Sequence, residues 1–196
     1  MRQLYYIPII HGISDFGSLA PTVSEKGATL MGKDAWQEHQ QVIADFWNSL
    51  ANFFQLQNVK GWKIFQDGMA AEGELAHKIV DEATKKGSAN HEIIQNTLKK
   101  GAIIVKTEDI DLLKAELRNI TALANAKTFA GKTVAYARYQ WEKERLLKKR
   151  DLFIAKRINE TLKEKDIGVL FIGAEHEVLP HLAKDIKVIE VKERQK

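Results

Sequence analysis

Apolar residues fall into two kinds of run along the chain. Short unbroken runs at 4–10, 62–65, 102–105 and 169–172 are rich in β-branched and aromatic residues and lack strict alternation. That is the pattern of strands covered on both faces of a sheet. A fifth run, 186–191, alternates more and is expected at a sheet edge. Longer amphipathic stretches lie between these runs. One opens at Asp34, the expected N-cap with Gln37 three residues on, and sets Trp36, Ile43, Phe46, Trp47, Leu50, Phe53 and Phe54 on one stripe. Two more, 72–86 and 91–100, stop at Gly87 and Gly101 with lysines in their last turns, and 108–125 follows. Residues 129–165 form a long helical stretch, one helix or two, with only Gly131 as a breaker.

Strands alternating with helices imply βαβ crossovers. The expectation is an α/β fold: a mostly parallel sheet of four to five strands, helices on both faces, and a long C-terminal helix before the last strands. A chain of 196 residues suits a single domain spanning 1–196, since that length buries roughly 70% of the surface its unfolded form exposes. The segment 12–33, with Pro21 and four glycines, reads as a loop and a candidate lid.

Composition narrows the chemistry. There are no cysteines, which excludes disulfides, thiolate metal sites and cysteine nucleophiles, so any metal must sit on histidines and carboxylates. No apolar stretch approaches the roughly 20 residues of a membrane-spanning helix. A soluble, cytoplasmic protein without a membrane partner is expected. The net charge of +4 is concentrated between Lys143 and Lys165, where basic residues outnumber acidic ones nine to four. A solvated lysine-rich helix face accounts for that excess more simply than nucleic-acid binding does. The partner expected instead is a small molecule, with a homo-oligomer as a further option.

In open parallel sheets ligands bind at the carboxyl ends of the strands, so the residues after each run are informative. The first is followed by His11 and, four residues later, Asp15; the second by Gln66, Asp67 and Gly68; the third by Lys106, Thr107, Glu108 and Asp109; the fourth by Gly173, Ala174, Glu175 and His176. Each delivers an ionisable group to one edge. Glu108 or Asp109 alone could be a helix cap. His11 and His176 are not favoured caps, and imidazoles beside carboxylates suit a divalent metal or general acid/base work. Helix periodicity adds a second group. With Leu147 at the centre of the buried stripe of 129–165, Ile154 and Ile158 fall beside it and Arg150 and Asp151 also face inward, while Tyr136, Gln140, Lys143 and Glu144 point roughly the same way. His39, His77, His91 and His181 read as structural or solvent-facing. Ser14 and Ser18 lack a G-x-S-x-G elbow, and neither a G-x-G-x-x-G nor a Walker motif is present.

The stretch from Arg150 and Asp151 to Ile158, followed by 169–172 and Gly173-Ala-Glu-His176, resembles the superfamily of TraB, Tiki and erythromycin-esterase-like proteins, in which an Arg-Asp helix precedes a strand ending in G-x-x-H. The match covers about a quarter of the chain. It implies that two histidines, carboxylates and an arginine line a hydrolytic site, with His11 as the N-terminal histidine; Pro8 stands where that superfamily has glycine. The chain is also similar to a bacterial and archaeal protein family with the pattern I-P-I-I-H, G-S-L, Q-D-G and T-E, a family that implies no particular activity.

The expected function is a metal-assisted hydrolase. His11, Glu108, His176 and Arg150 would be catalytic, with His11, His176 and Glu108 as ligands of a divalent ion. Asp15, Asp67, Asp151 and Tyr136 would contact substrate, and Arg150 would stabilise negative charge. The alternative is a non-catalytic ligand-sensing or interaction module that keeps the pocket.

Overall fold

The computed structural model describes residues 1–9 and 20–191; of residues 20–23, 26 and 124 it describes the backbone only. The elements in chain order are β1 (Arg2–Ile9), α1 (Ala20–Met31), α2 (Lys33–Leu56), β2 (Lys63–Gln66), α3 (Gly73–Lys85), α4 (Ala89–Lys99), β3 (Ile103–Val105), α5 (Ile110–Asn125), α6 (Phe129–Thr161), β4 (Ile167–Gly173), a single 3-10 turn (Leu179–His181) and β5 (Ile186–Glu190). The strands form one sheet in the order β3-β2-β4-β1-β5, and every pairing is parallel. The α/β reading therefore holds, and β5 is an edge strand as its alternation implied.

Successive residues of the central strands feed opposite faces of the sheet. Ile64, Val169 and Phe171 turn to a core shared with α2, α3 and α4, which contribute Ile43, Phe54, Val80 and Ile94. Phe65, Leu170 and Ile172 turn to the other core, closed by Ile154, Ile158 and Leu162 at the end of α6. Burial of each such side chain contributes about 1.5–3 kcal/mol. Because β2 and β4 are central and covered on both sides, their runs are continuously apolar.

Four local expectations are corrected. Residues 12–33 are not all loop, since α1 begins at Ala20. Pro21 sits in its first turn, where a missing N–H costs nothing, and Gly27 admits the Trp36 ring, whose Cζ3 would lie 2.4 Å from an added Cβ. Trp36 thus packs α1 against α2 instead of filling the sheet core. Asp34 does not cap α2, which starts one residue earlier behind Gly32. The stretch 129–165 is one helix that ends at Thr161, and its buried stripe runs through Leu146, Arg150, Asp151, Ile154 and Ile158, so Leu147 lies beside the stripe's centre and not on it. Among the described residues, no helix is long and apolar enough to cross a membrane.

Candidate functional site

All the strands point the same way, so the C-terminal ends of β2, β3 and β4 share one edge. Register decides what meets there. Gln66 pairs with Phe171, and the ladder continues one step as the Asp67 N–H donates to the Phe171 carbonyl at 2.9 Å. Gly68 follows with φ of 77°, a left-handed conformation that lets the chain turn away directly after Asp67. Met69 then accepts from the N–H groups of both Thr107 (2.8 Å) and Glu108 (3.0 Å), tying the β3 end to the β2 end. Thr107 completes the clasp, its hydroxyl accepting from the Gln66 N–H at 3.1 Å.

Glu108 and Asp109, equivalent in sequence, have different roles. Asp109 is the N-cap of α5, accepting from Asp111 at 2.7 Å and Leu112 at 3.3 Å. Glu108 is wholly buried and does no capping. It faces Arg150, which α6 brings in from the other side. The Arg150 Nε and Nη2 donate to Glu108 Oε1 at 3.1 and 2.6 Å, Nη2 also to Asp67 Oδ1 at 2.7 Å, and Nη1 to Glu116 Oε2 at 2.7 Å. One guanidinium therefore holds three carboxylates. Burial opposes its charge, but hydrogen bonding to Glu108 and attraction to Glu108, Asp67 and Glu116 outweigh that and raise its pKa further. Burial pushes Glu108 above the ordinary carboxylate range, although Arg150 pulls the other way. Among the described residues its Oε2 has no hydrogen-bond partner, and an orphaned buried oxygen costs about 1–3 kcal/mol or more when charged.

His176 enters from beyond β4. Its Nδ1 lies 2.5 Å from Asp151 Oδ1, and Asp151 Oδ2 accepts from the Glu177 N–H at 3.0 Å, so the carboxylate fixes both the ring and the loop that carries it. In the neutral ring, a proton on Nδ1 directed to Asp151 leaves Nε2 as an acceptor; the His176 Nε2 lies 3.6 Å from Asp67 Oδ2. That oxygen also accepts from the Gly173 N–H at 3.1 Å, and a Cβ at Gly173 would stand 3.2 Å from it. Gly173 is the close-approach position that lets the end of β4 bring His176 beside Asp67 at the end of β2.

One donor atom each from Asp67, Glu108 and His176 lies within 4.8 Å of the others. One imidazole and two carboxylates are donor types that divalent ions accept. Two ligands about 2.1 Å from one tetrahedral ion sit roughly 3.4 Å apart, near the His176–Asp67 separation, and Glu108 Oε2 is a buried oxygen without a partner among the described residues. The Asp151 contact is the kind of carboxylate support that metal centres place behind an imidazole ligand.

Of the residues expected from sequence, the structure brings Asp67, Glu108, Arg150, Asp151 and His176 together. His11 and Asp15 lie outside the described residues. Tyr136, expected to point roughly inward, is instead 55% exposed on α6, its hydroxyl accepting from Gln140 at 2.9 Å. Glu144 is exposed as well, and Lys143 pairs with Glu175 at 2.8 Å on the surface. Reasoning from sequence missed Glu116, whose only signal is a carboxylate four residues after Leu112 on the α5 face that packs against α6. It also missed Gln66 and Asn90: Asn90 Nδ2 donates to Gln66 Oε1 at 3.0 Å, and Gln66 Nε2 donates to the Asp67 carbonyl at 3.2 Å. No family model, curated protein or solved structure matches the chain.

Proposed function

We propose that the chain is a hydrolase assisted by a divalent metal ion that Asp67, Glu108 and His176 would hold. The observation that carries this reading is the buried Glu108 Oε2, without a partner among the described residues, beside the Asp67 and His176 donors. A bound divalent ion would supply Lewis-acid polarisation of a substrate oxygen and activation of water. The remaining groups divide into two tasks. Arg150 orients Asp67 and Glu108 through one oxygen of each, and Asp151 fixes the tautomer and direction of His176. The assignment of Arg150 as the group that stabilises developing negative charge gives way to a positioning role, because its Nε and both Nη atoms already donate to carboxylates. The resemblance to TraB, Tiki and erythromycin-esterase-like proteins supports the same reading, since its Arg-Asp helix and its G-x-x-H strand end meet in this cluster.

A second reading has a specific observation in its favour. Three carboxylates closed around one arginine also make a rigid polar core, as a ligand-sensing or interaction module without turnover would retain. Titration calorimetry of purified, chelator-treated protein with Mn²⁺ and Zn²⁺, followed by an ester, amide and phosphoester hydrolysis screen, separates the two. Stoichiometric binding that His176→Ala abolishes in a folded protein supports the hydrolase. Absence of divalent binding, or binding indifferent to His176→Ala, sinks it.

A further inference from the structure

The local excess of lysine and arginine in α6 takes on a shape that counting charges could not reveal. At 100° per residue, Arg138, Arg145, Lys148, Lys149 and Lys156 fall within an arc about 100° wide on the side of α6 opposite its buried stripe. All five are exposed. No carboxylate of α6 lies inside the arc; Glu142 and Glu160 sit at its margin, where Arg145 meets Glu142 at 2.5 Å and Lys156 lies 3.9 Å from Glu160. The same arc carries the apolar residues Val134, Trp141 and Leu152, which are 69%, 75% and 48% exposed. From Val134 to Lys156 the stripe runs about 33 Å along the axis.

We propose that this outer face of α6 docks on an anionic lipid bilayer, lying along the surface without spanning it. The choice of occupant follows from the mixture of side chains. A nucleic-acid strand would use the cations and stack on Trp141, but it offers nothing to Val134 and Leu152. The bilayer interface takes both kinds. Lipid phosphates and carboxylates meet the lysines and arginines, whose long stems snorkel, while Trp141, Val134 and Leu152 enter the boundary between headgroups and acyl chains. The convex side of a helix also meets a plane along its length, whereas it offers no groove to hold a strand. Electrostatic attraction and shallow apolar insertion together give reversible binding.

The test is co-sedimentation of the full-length protein with vesicles of phosphatidylcholine alone and of phosphatidylcholine mixed equally with phosphatidylserine. Binding is expected only to the mixed vesicles and is expected to weaken with added salt. Each cation near an anionic surface is worth about a fivefold change in partitioning, so the charge reversal Lys148→Glu with Lys149→Glu should weaken binding by at least about 25-fold. Trp141→Ala should weaken it as well, and brominated lipid should quench the fluorescence of the wild-type protein by an amount that Trp141→Phe removes. The substituted side chains are all on the solvent face, and circular dichroism checks that each variant is folded. Equal binding to neutral vesicles, no binding to mixed ones, or binding that the charge reversal leaves unchanged overturns the proposal. So does salt-sensitive binding of a single-stranded oligonucleotide that Trp141→Ala abolishes while vesicles bind nothing.

Discussion

Arg150→Met is the most informative single change to the cluster. Methionine keeps much of the volume and removes the guanidinium from three carboxylates. Their exposures set the size of the effect. The Glu108 side chain is 0% exposed, so its stranded charge should cost about 3–5 kcal/mol. Asp67 and Glu116, at 20% and 32%, retain water and add about 0–1 kcal/mol each. A loss near 4 kcal/mol at neutral pH corresponds to a fall in Tm of about 8–16 °C for a chain of this length. The pH dependence gives the sharper signature. Burial already raises the Glu108 pKa, and Arg150 is the main influence opposing it. In the variant the folded protein holds the Glu108 proton more tightly still, while the unfolded chain titrates near the ordinary 4.5. A carboxyl whose folded pKa is raised contributes stability that is fully present below the unfolded value and is lost as pH rises through the folded one. The gap between wild type and Arg150→Met should therefore close on acidification towards 4.5 and widen towards neutrality. Urea unfolding at a series of pH values, with Arg150→Met in the presence and absence of Glu108→Gln, measures both effects. The double variant should recover most of the loss at neutral pH. A penalty below about 1 kcal/mol, or one equal at acidic and neutral pH, would refute the view that Glu108 is a buried charge held by Arg150.

Asp151→Asn keeps the shape of the His176 partner and removes its charge; Mn²⁺ or Zn²⁺ affinity should fall about 10–100-fold by calorimetry with little change in secondary structure. Gly173→Ala puts a methyl 3.2 Å from Asp67 Oδ2 and should lower metal affinity more than it lowers stability, a split that an equal loss of both would contradict. One turn along α6 from Arg150, Ile154→Ala leaves a cavity in a fully buried position and should cost about 2–5 kcal/mol in denaturant unfolding, with metal stoichiometry unchanged.

The sheet was legible because parallel strands covered on both faces must be apolar at consecutive positions. Each of the five runs became a strand, displaced by at most two residues at either end. Segment 12–33 was misread in part because Pro21 and the glycines look like turn residues, while their roles in a first helical turn and under the Trp36 ring depend on where α2 lies. The same division runs through the site. Asp67, Glu108 and His176 were legible from strand ends, and Arg150 and Asp151 from helix phase. Neither signal could show that Arg150 crosses to the end of β3 or that Glu116 joins it, since both depend on how α5 packs on α6. Nor could the sequence separate Glu108 from Asp109, because which carboxylate caps α5 is decided by the clasp that Met69 makes on residues 107 and 108.

Charge balance links the two readings of the cluster to one measurable property. Asp67, Glu108 and Glu116 surround a single permanent cation, so the site holds more negative charge than Arg150 can neutralise. Two remedies act at Glu108 itself. Glu108 can take up a proton, which its raised pKa favours, or a divalent ion can settle between Glu108, Asp67 and His176. The remedies compete, because Glu108 must lose its proton to become a ligand. If the metal reading holds, affinity must rise steeply as pH increases through the Glu108 titration, with protons released on binding. If the cluster is only a structural knot, Glu108 keeps its proton and divalent ions leave its titration unmoved.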